Sequence, residues 1–134
     1  MGNYIVADKN GLCLQCYRQG YKKENLVCNK IFLKQGELLT VTDRKKFIID
    51  VGWFVLAKIN GEEKFLLIEE LGEAMQNGQL LDEIDCMLKL VNISHYLDEA
   101  LASKNKEQFF KFLTLQKEIS FLYEQLCEKM YITS

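Results

Sequence analysis

The chain holds 134 residues, with 17 Lys and Arg against 19 Asp and Glu for a formal charge of −2; 49% of residues are hydrophobic and 27% charged. These values lie near globular averages and argue against general disorder, a collagen-like repeat or a supercharged tail. The length predicts one folded unit that buries roughly two thirds of the surface its unfolded form exposes.

Before Glu69 the apolar residues run in short stretches rich in β-branched and aromatic types, separated by turn signals, which predicts strands. Tyr4 to Ala7 and Leu12 to Tyr17 flank Asp8-Lys9-Asn10-Gly11, and Lys30 to Leu33 and Leu38 to Thr42 flank Gln35-Gly36-Glu37. Each Gly can supply the positive φ of a tight reversal. Phe47 to Leu56 is apolar on both faces, as a central strand would be, with Gly52 expected to mark a bulge or a close backbone approach. The strand Phe47 to Ile59 is expected to pair with Lys64 to Ile68 through Asn60-Gly61, the type I′ signature. The sheet is predicted to be antiparallel.

From Leu71 the spacing turns helical. Leu71, Ala74 and Met75 precede a stop at Asn77-Gly78. Leu80, Ile84, Met87 or Leu88, Val91 and Tyr96 then predict one apolar stripe on a second helix reaching Leu101, with Asn92-Ile93-Ser94 as a candidate interruption. A third helix is predicted from Asn105, a capping residue with Gln108 three positions on. Its stripe is Phe109, Phe112 or Leu113, Gln116, Ile119, Leu122 or Tyr123, Leu126 and Met130. The short link between these helices makes them antiparallel neighbours. The predicted fold class is therefore α+β, with an antiparallel β region over 1–68 and a helical region over 69–134 packed as one unit. Charge follows the same boundary: residues 1–64 hold 11 Lys and Arg against 7 Asp and Glu, residues 65–134 hold 6 against 12.

Tyr96-Leu97-Asp98-Glu99-Ala100-Leu101, followed by Asn105-Lys106-Glu107-Gln108-Phe109, resembles the IDEAL domain of Bacillus-type bacteria and their phages over roughly Ile93 to Leu126. Leu97 stands where the eponymous Ile would be, and Asn105 replaces a frequent Asp while keeping a capping side chain. The resemblance implies a helical hairpin, usually appended to another domain, serving regulation and protein contact; it implies no catalytic residues. On physical grounds Leu97, Ala100 and Leu101 are expected inside, small Ala100 admitting Phe109 and Phe112, while Asp98 and Glu99 face outward to pair with Lys104 or Lys106. Glu69, Glu70, Glu73, Asp82, Glu83, Asp85, Asp98 and Glu99 stand against Lys89 alone, enough to steer a basic partner.

Cys13-Leu14-Gln15-Cys16 with Cys28 and His95 has zinc-like ligand types, but a strand points residues i and i+3 to opposite faces, so no metal and no other cofactor is predicted. His95 is the single His, and no phosphate loop, dinucleotide fingerprint or zinc-peptidase motif is present. Catalysis is therefore not expected. Five Cys and an opening Met1-Gly2-Asn3-Tyr4 without a charged and apolar leader predict a reduced, cytoplasmic protein. The longest nearly pure apolar run, Val51 to Ala57, is too short for a membrane helix, and Val6 breaks the N-myristoylation pattern.

The function predicted is that of a regulatory or adaptor protein binding another protein, with the acidic face favouring a basic one, through Glu83, Asp98, Glu99 and Lys106 with Tyr96 and Phe110 as anchors. The sequence leaves a homodimer open, because an aromatic-rich hairpin can hide its face either within the monomer or across a two-fold axis. The alternative is nucleic-acid binding by the basic half, where Lys22, Lys23, Arg44, Lys45 and Lys46 lie in a stretch, residues 18–46, of net charge +5 with interleaved aromatics.

Overall fold

Strand-forming residues and turn signals build a seven-stranded antiparallel sheet in the computed structural model, which describes residues 2–17 and 28–132. The elements in chain order are β1 (Gly2–Val6), β2 (Leu12–Tyr17), β3 (Cys28–Leu33), β4 (Leu38–Ile48), β5 (Gly52–Ile59), β6 (Glu62–Leu67), α1 (Ile68–Gln76), β7 (Leu80–Leu81), α2 (Glu83–Ala102) and α3 (Lys106–Ile132). The strand order is β3-β2-β6-β5-β4-β1-β7. The α+β class is as the sequence predicts. The chain divides into two compact units, Met1–Leu81 and Asp82–Ser134.

Short links impose the curl of the sheet. β1 and β2 lie four places apart in the strand order, about 19 Å in a flat sheet. The link between them is spent on a turn, with Gly11 N–H donating to the Asp8 carbonyl at 3.0 Å and Asn10 N–H to the Asp8 carboxylate at 2.9 Å. It cannot span a flat sheet, so the sheet must bend. Gly36 N–H donates to the Val6 carbonyl at 2.8 Å and Val6 N–H to Glu37 at 3.0 Å, tying the β3–β4 link to the end of β1. Both reversals use glycine at positive φ, but the strands beside them pair elsewhere: β1 with β4 and β7, β2 with β3 and β6.

Inside the curl, alternate residues converge on one core: Leu12, Leu14 and Cys16 from β2, Val55, Ala57 and Ile59 from β5, with Val6, Leu33, Leu39 and Leu66. β5 is also buried at Phe54 and Leu56, which fits its place at the centre of the sheet. The stretch Phe47 to Leu56 is nevertheless not one strand. Asp50 adopts φ 70°, Val51 N–H donates to Ile48 at 3.1 Å, and the chain reverses so that Phe47 faces Trp53. Asp tolerates the left-handed region through its short polar side chain, a turn signal hidden here among apolar neighbours. Gly52, at φ 124°, completes this reversal. The Asn60-Gly61 hairpin forms as predicted, with φ 53° and 83°.

α1 ends where expected, at Gly78 with φ 74°, and places Leu71 and Ala74 in the sheet core. Leu80 lies on β7 beside β1 instead of on a helix. The period of the sequence changes near Glu69, yet the first unit runs to Leu81, because α1 and β7 pack on the sheet.

In the second unit α2 begins at a capping box: Asp82 accepts from Asp85 N–H at 2.7 Å and Asp85 accepts from Asp82 N–H at 3.3 Å. Asn92-Ile93-Ser94 does not interrupt the helix. The link to α3 closes with Lys104 at φ 55° and Asn105 N–H donating to Ala100 at 3.0 Å; the Asn105 side chain then caps α3 by accepting from Gln108 N–H at 3.2 Å. The buried residues of α2 are Cys86, Ile93, Leu97 and Ala100, those of α3 Ile119, Leu122 and Leu126. Their spacing by threes and fours is the seam of an antiparallel helix pair. Among the described residues no helix is long and apolar enough to cross a membrane.

Candidate functional site

The predicted stripe on α2 is corrected by the seam just described. Ile84, Met87, Leu88 and Val91 are 49–66% exposed, and Tyr96 at 46% and Leu101 at 60% are exposed as well. α2 is apolar on two sides; Cys86, Ile93, Leu97 and Ala100 occupy the seam, and helical geometry turns Ile84, Leu88 and Val91 to the opposite side. Leu101, expected inside with Leu97 and Ala100, falls one residue past the seam. Eight of the twelve large hydrophobic residues exposed among the described residues belong to the second unit: Ile84, Met87, Leu88, Val91, Tyr96, Leu101, Phe110 and Phe121.

Carboxylates surround that stripe. Asp98 and Glu99 are exposed on the last turns of α2, and Glu83, on its first turn, is half-buried. Glu83 and Asp98 are about 22 Å apart along the axis, so the acidic residues line the helix without forming one cluster. Glu99 meets His95 Nε2 at 3.2 Å, an i,i+4 contact on one helix, in place of the expected Lys104 or Lys106 pairing. Lys106 is exposed at the start of α3. Tyr96 stacks on Phe112 with centroids 5.1 Å apart, which holds its ring against the hairpin and leaves an edge in solvent. Phe110 is 61% exposed and edge-on to Phe109 at 5.8 Å.

Cys86 sits in the seam, where burial first and then the Asp82 and Asp85 carboxylates push its thiol up to about 11. It is therefore a packed thiol at neutral pH, not a nucleophile. In the sheet unit Cys13 is exposed and Cys16 buried, on opposite faces of β2, so the two do not converge; the Cys28 side chain lies outside the described residues. No group of three His, Cys, Asp or Glu able to hold a metal ion occurs among the described residues.

Of the basic residues in the nucleic-acid alternative, Lys22 and Lys23 lie outside the described residues. Arg44 and Lys45 are exposed on β4, and the half-buried Lys46 places its ammonium 5.8 Å from the Phe65 ring centroid. Beside them Phe47 and Trp53 form an exposed cross-strand pair at 5.2 Å.

A cavity of about 440 Å³ opens between the sheet and α1, lined by Tyr4, Val41, Thr42, Asp43, Lys45 and Val55 on one side and by Ile68, Leu71, Gly72 and Met75 on the other. Sequence reading missed the cavity and took the stripe of Ile84, Met87, Leu88 and Val91 for the inner side of α2. The seam was legible in the second set of apolar positions on α2, whereas the cavity depends on strands and a helix brought together from distant parts of the chain. Comparison of the chain with protein-family models, with curated proteins and with solved structures finds no match.

Proposed function

We propose that this chain is a regulatory or adaptor protein that acts by binding another protein through its helical hairpin, and not by catalysis. The observation that carries the reading is the solvent-facing stripe of Ile84, Met87, Leu88 and Val91 on α2. Contiguous exposed apolar surface rimmed by charge marks protein contact sites. Over α2, Glu83, Asp85, Asp98 and Glu99 stand against Lys89, so the preferred partner is basic. Exposed Phe110 and the stacked Tyr96 supply aromatic anchors of the kind that dominate binding energy. The resemblance of residues 93–126 to the IDEAL domain points the same way. A cytoplasmic setting belongs to this proposal.

The test compares affinity capture by the intact chain with capture by two variants, Leu88→Ser plus Val91→Ser and Asp98→Lys plus Glu99→Lys. A protein retained by the parent and lost with both, their circular dichroism unchanged, supports the reading. Capture indifferent to both overturns it. The alternative, nucleic-acid binding beside Phe47 and Trp53, requires retention of an oligonucleotide that falls steeply with salt and with Lys45→Glu.

A further inference from the structure

β4 does more than hold the sheet together. Its register with β1 ends at Gly2 opposite Val41, and among the described residues no strand continues that register beside Asp43, Arg44 and Lys45. On the other side, the pairing with β5 steps from Val41–Ala57 to Lys45–Val55, so Thr42, Asp43 and Arg44 stand against Leu56 alone. Thr42 stabilises this bulge by donating from Oγ1 to the Leu56 carbonyl at 2.7 Å and accepting from Arg44 N–H at 3.3 Å. Bulges bend a strand and re-aim its side chains.

The same stretch borders the cavity. Thr42, Asp43 and Lys45 form its polar rim, and Val41, Val55, Ile68, Leu71 and Met75 its apolar wall. Gly72 leaves a gap in α1: a Cβ built there meets nothing within 4 Å. Lysines on a strand edge also serve to discourage aggregation. That role alone accounts for the charges but not for an apolar recess of about 440 Å³ beside them.

We propose that this groove binds an extended acidic peptide, which adds to β4 as a strand beyond the end of β1 and drops alternate apolar side chains into the recess under α1. Backbone pairing with the edge and pockets for every second side chain are the two components of strand addition. Lys45 on the rim and exposed Arg44 next to it, against the rim carboxylate of Asp43, favour an acidic peptide over a basic one. The site lies wholly within the first unit and is independent of the hairpin reading.

The experiment titrates the full, isotope-labelled chain with a capped eight-residue peptide alternating glutamate with valine or leucine, followed by amide NMR and hydrogen exchange. Binding is expected to shift the amides of Thr42 to Phe47 and of Gly72 and to slow exchange along that edge. Lys45→Glu is expected to weaken it at least about tenfold, and Gly72→Leu to do the same by filling the recess. Lys45 is exposed, so its replacement tests the site even where Gly72→Leu disturbs α1. Silence of these amides at millimolar peptide overturns the proposal. So does an equal response to the same peptide with lysine for glutamate, a response to oligothymidylate alone, or concentration-dependent self-pairing at this edge that the peptide does not displace.

Discussion

Gly72 occupies the middle of α1 with open space where a side chain would go. Glycine inside a helix costs about 0.5–1 kcal/mol relative to Ala, so Gly72→Ala is expected to stabilise the chain by that amount in denaturant unfolding. Gly11 is the opposite case. It sits at φ 80°, and an added Cβ would lie 2.5 Å from the Phe32 ring and 2.6 Å from the Leu33 carbonyl oxygen, so Gly11→Ala is expected to destabilise by about 1–3 kcal/mol. Both glycines are visible in the sequence; only the second advertises its role, by standing in a turn motif. The thiols differ in the same residue-specific way. A thiol reagent at neutral pH is expected to label exposed Cys13 rapidly and to leave Cys86 untouched while the protein stays folded. Because the Cys86 pKa is raised in the folded state, its contribution to stability is whole below the ordinary thiol value near 9 and fades as pH climbs toward 11. Asp8 has the reverse sign. Its carboxyl is held below the usual value by the Gln79 side chain and then by Asn10 N–H, so its contribution is present above the ordinary carboxylate range and lost as pH falls through the lowered value. Unfolding curves of Asp8→Asn and Cys86→Ala across pH check the two directions.

Helix α2 shows at the scale of an element why apolar periodicity alone misassigned its inner side. Between Ile84 and Leu97 nearly every turn offers apolar residues on two sides, and Ile84, Met87, Leu88 and Val91 make as regular a pattern as Cys86, Leu90, Ile93 and Leu97. Packing against α3 decides between them. Leu97→Ala is accordingly expected to cost about 2–5 kcal/mol and Val91→Ala no more than about 0.5 kcal/mol in thermal or denaturant unfolding. Asp82→Ala removes the N-cap and half the capping box of α2, with an expected loss of about 1 kcal/mol. The capping signals at Asn105 and the stop at Gly78 were legible because they are satisfied within a few residues. The β4–β5 reversal was not, since Asp50 is the one polar residue in an apolar run and reads equally as a strand's exposed position.

Across the whole molecule the charge asymmetry of the sequence softens once the units are drawn. Met1–Leu81 carries 11 Lys and Arg against 10 Asp and Glu, and Asp82–Ser134 carries 6 against 9, because Glu69, Glu70 and Glu73 of α1 belong with the sheet. With a hairpin charge of only −3, capture of a basic partner is expected to weaken modestly between low and physiological salt, the apolar stripe retaining the rest; a binding series across ionic strength measures it. The sequence by itself determined the α+β class, the Asn60-Gly61 hairpin, the end of α1 and the antiparallel α2–α3 pair, all of which rest on local periodicity, turn chemistry and capping. Only the tertiary structure decided which strands neighbour one another, which side of α2 remains in solvent, and that a recess opens between β4 and α1. Those outcomes depend on contacts between residues far apart in the chain, where a short link such as Asp8 to Gly11 restricts the possible sheets but names no partner strand.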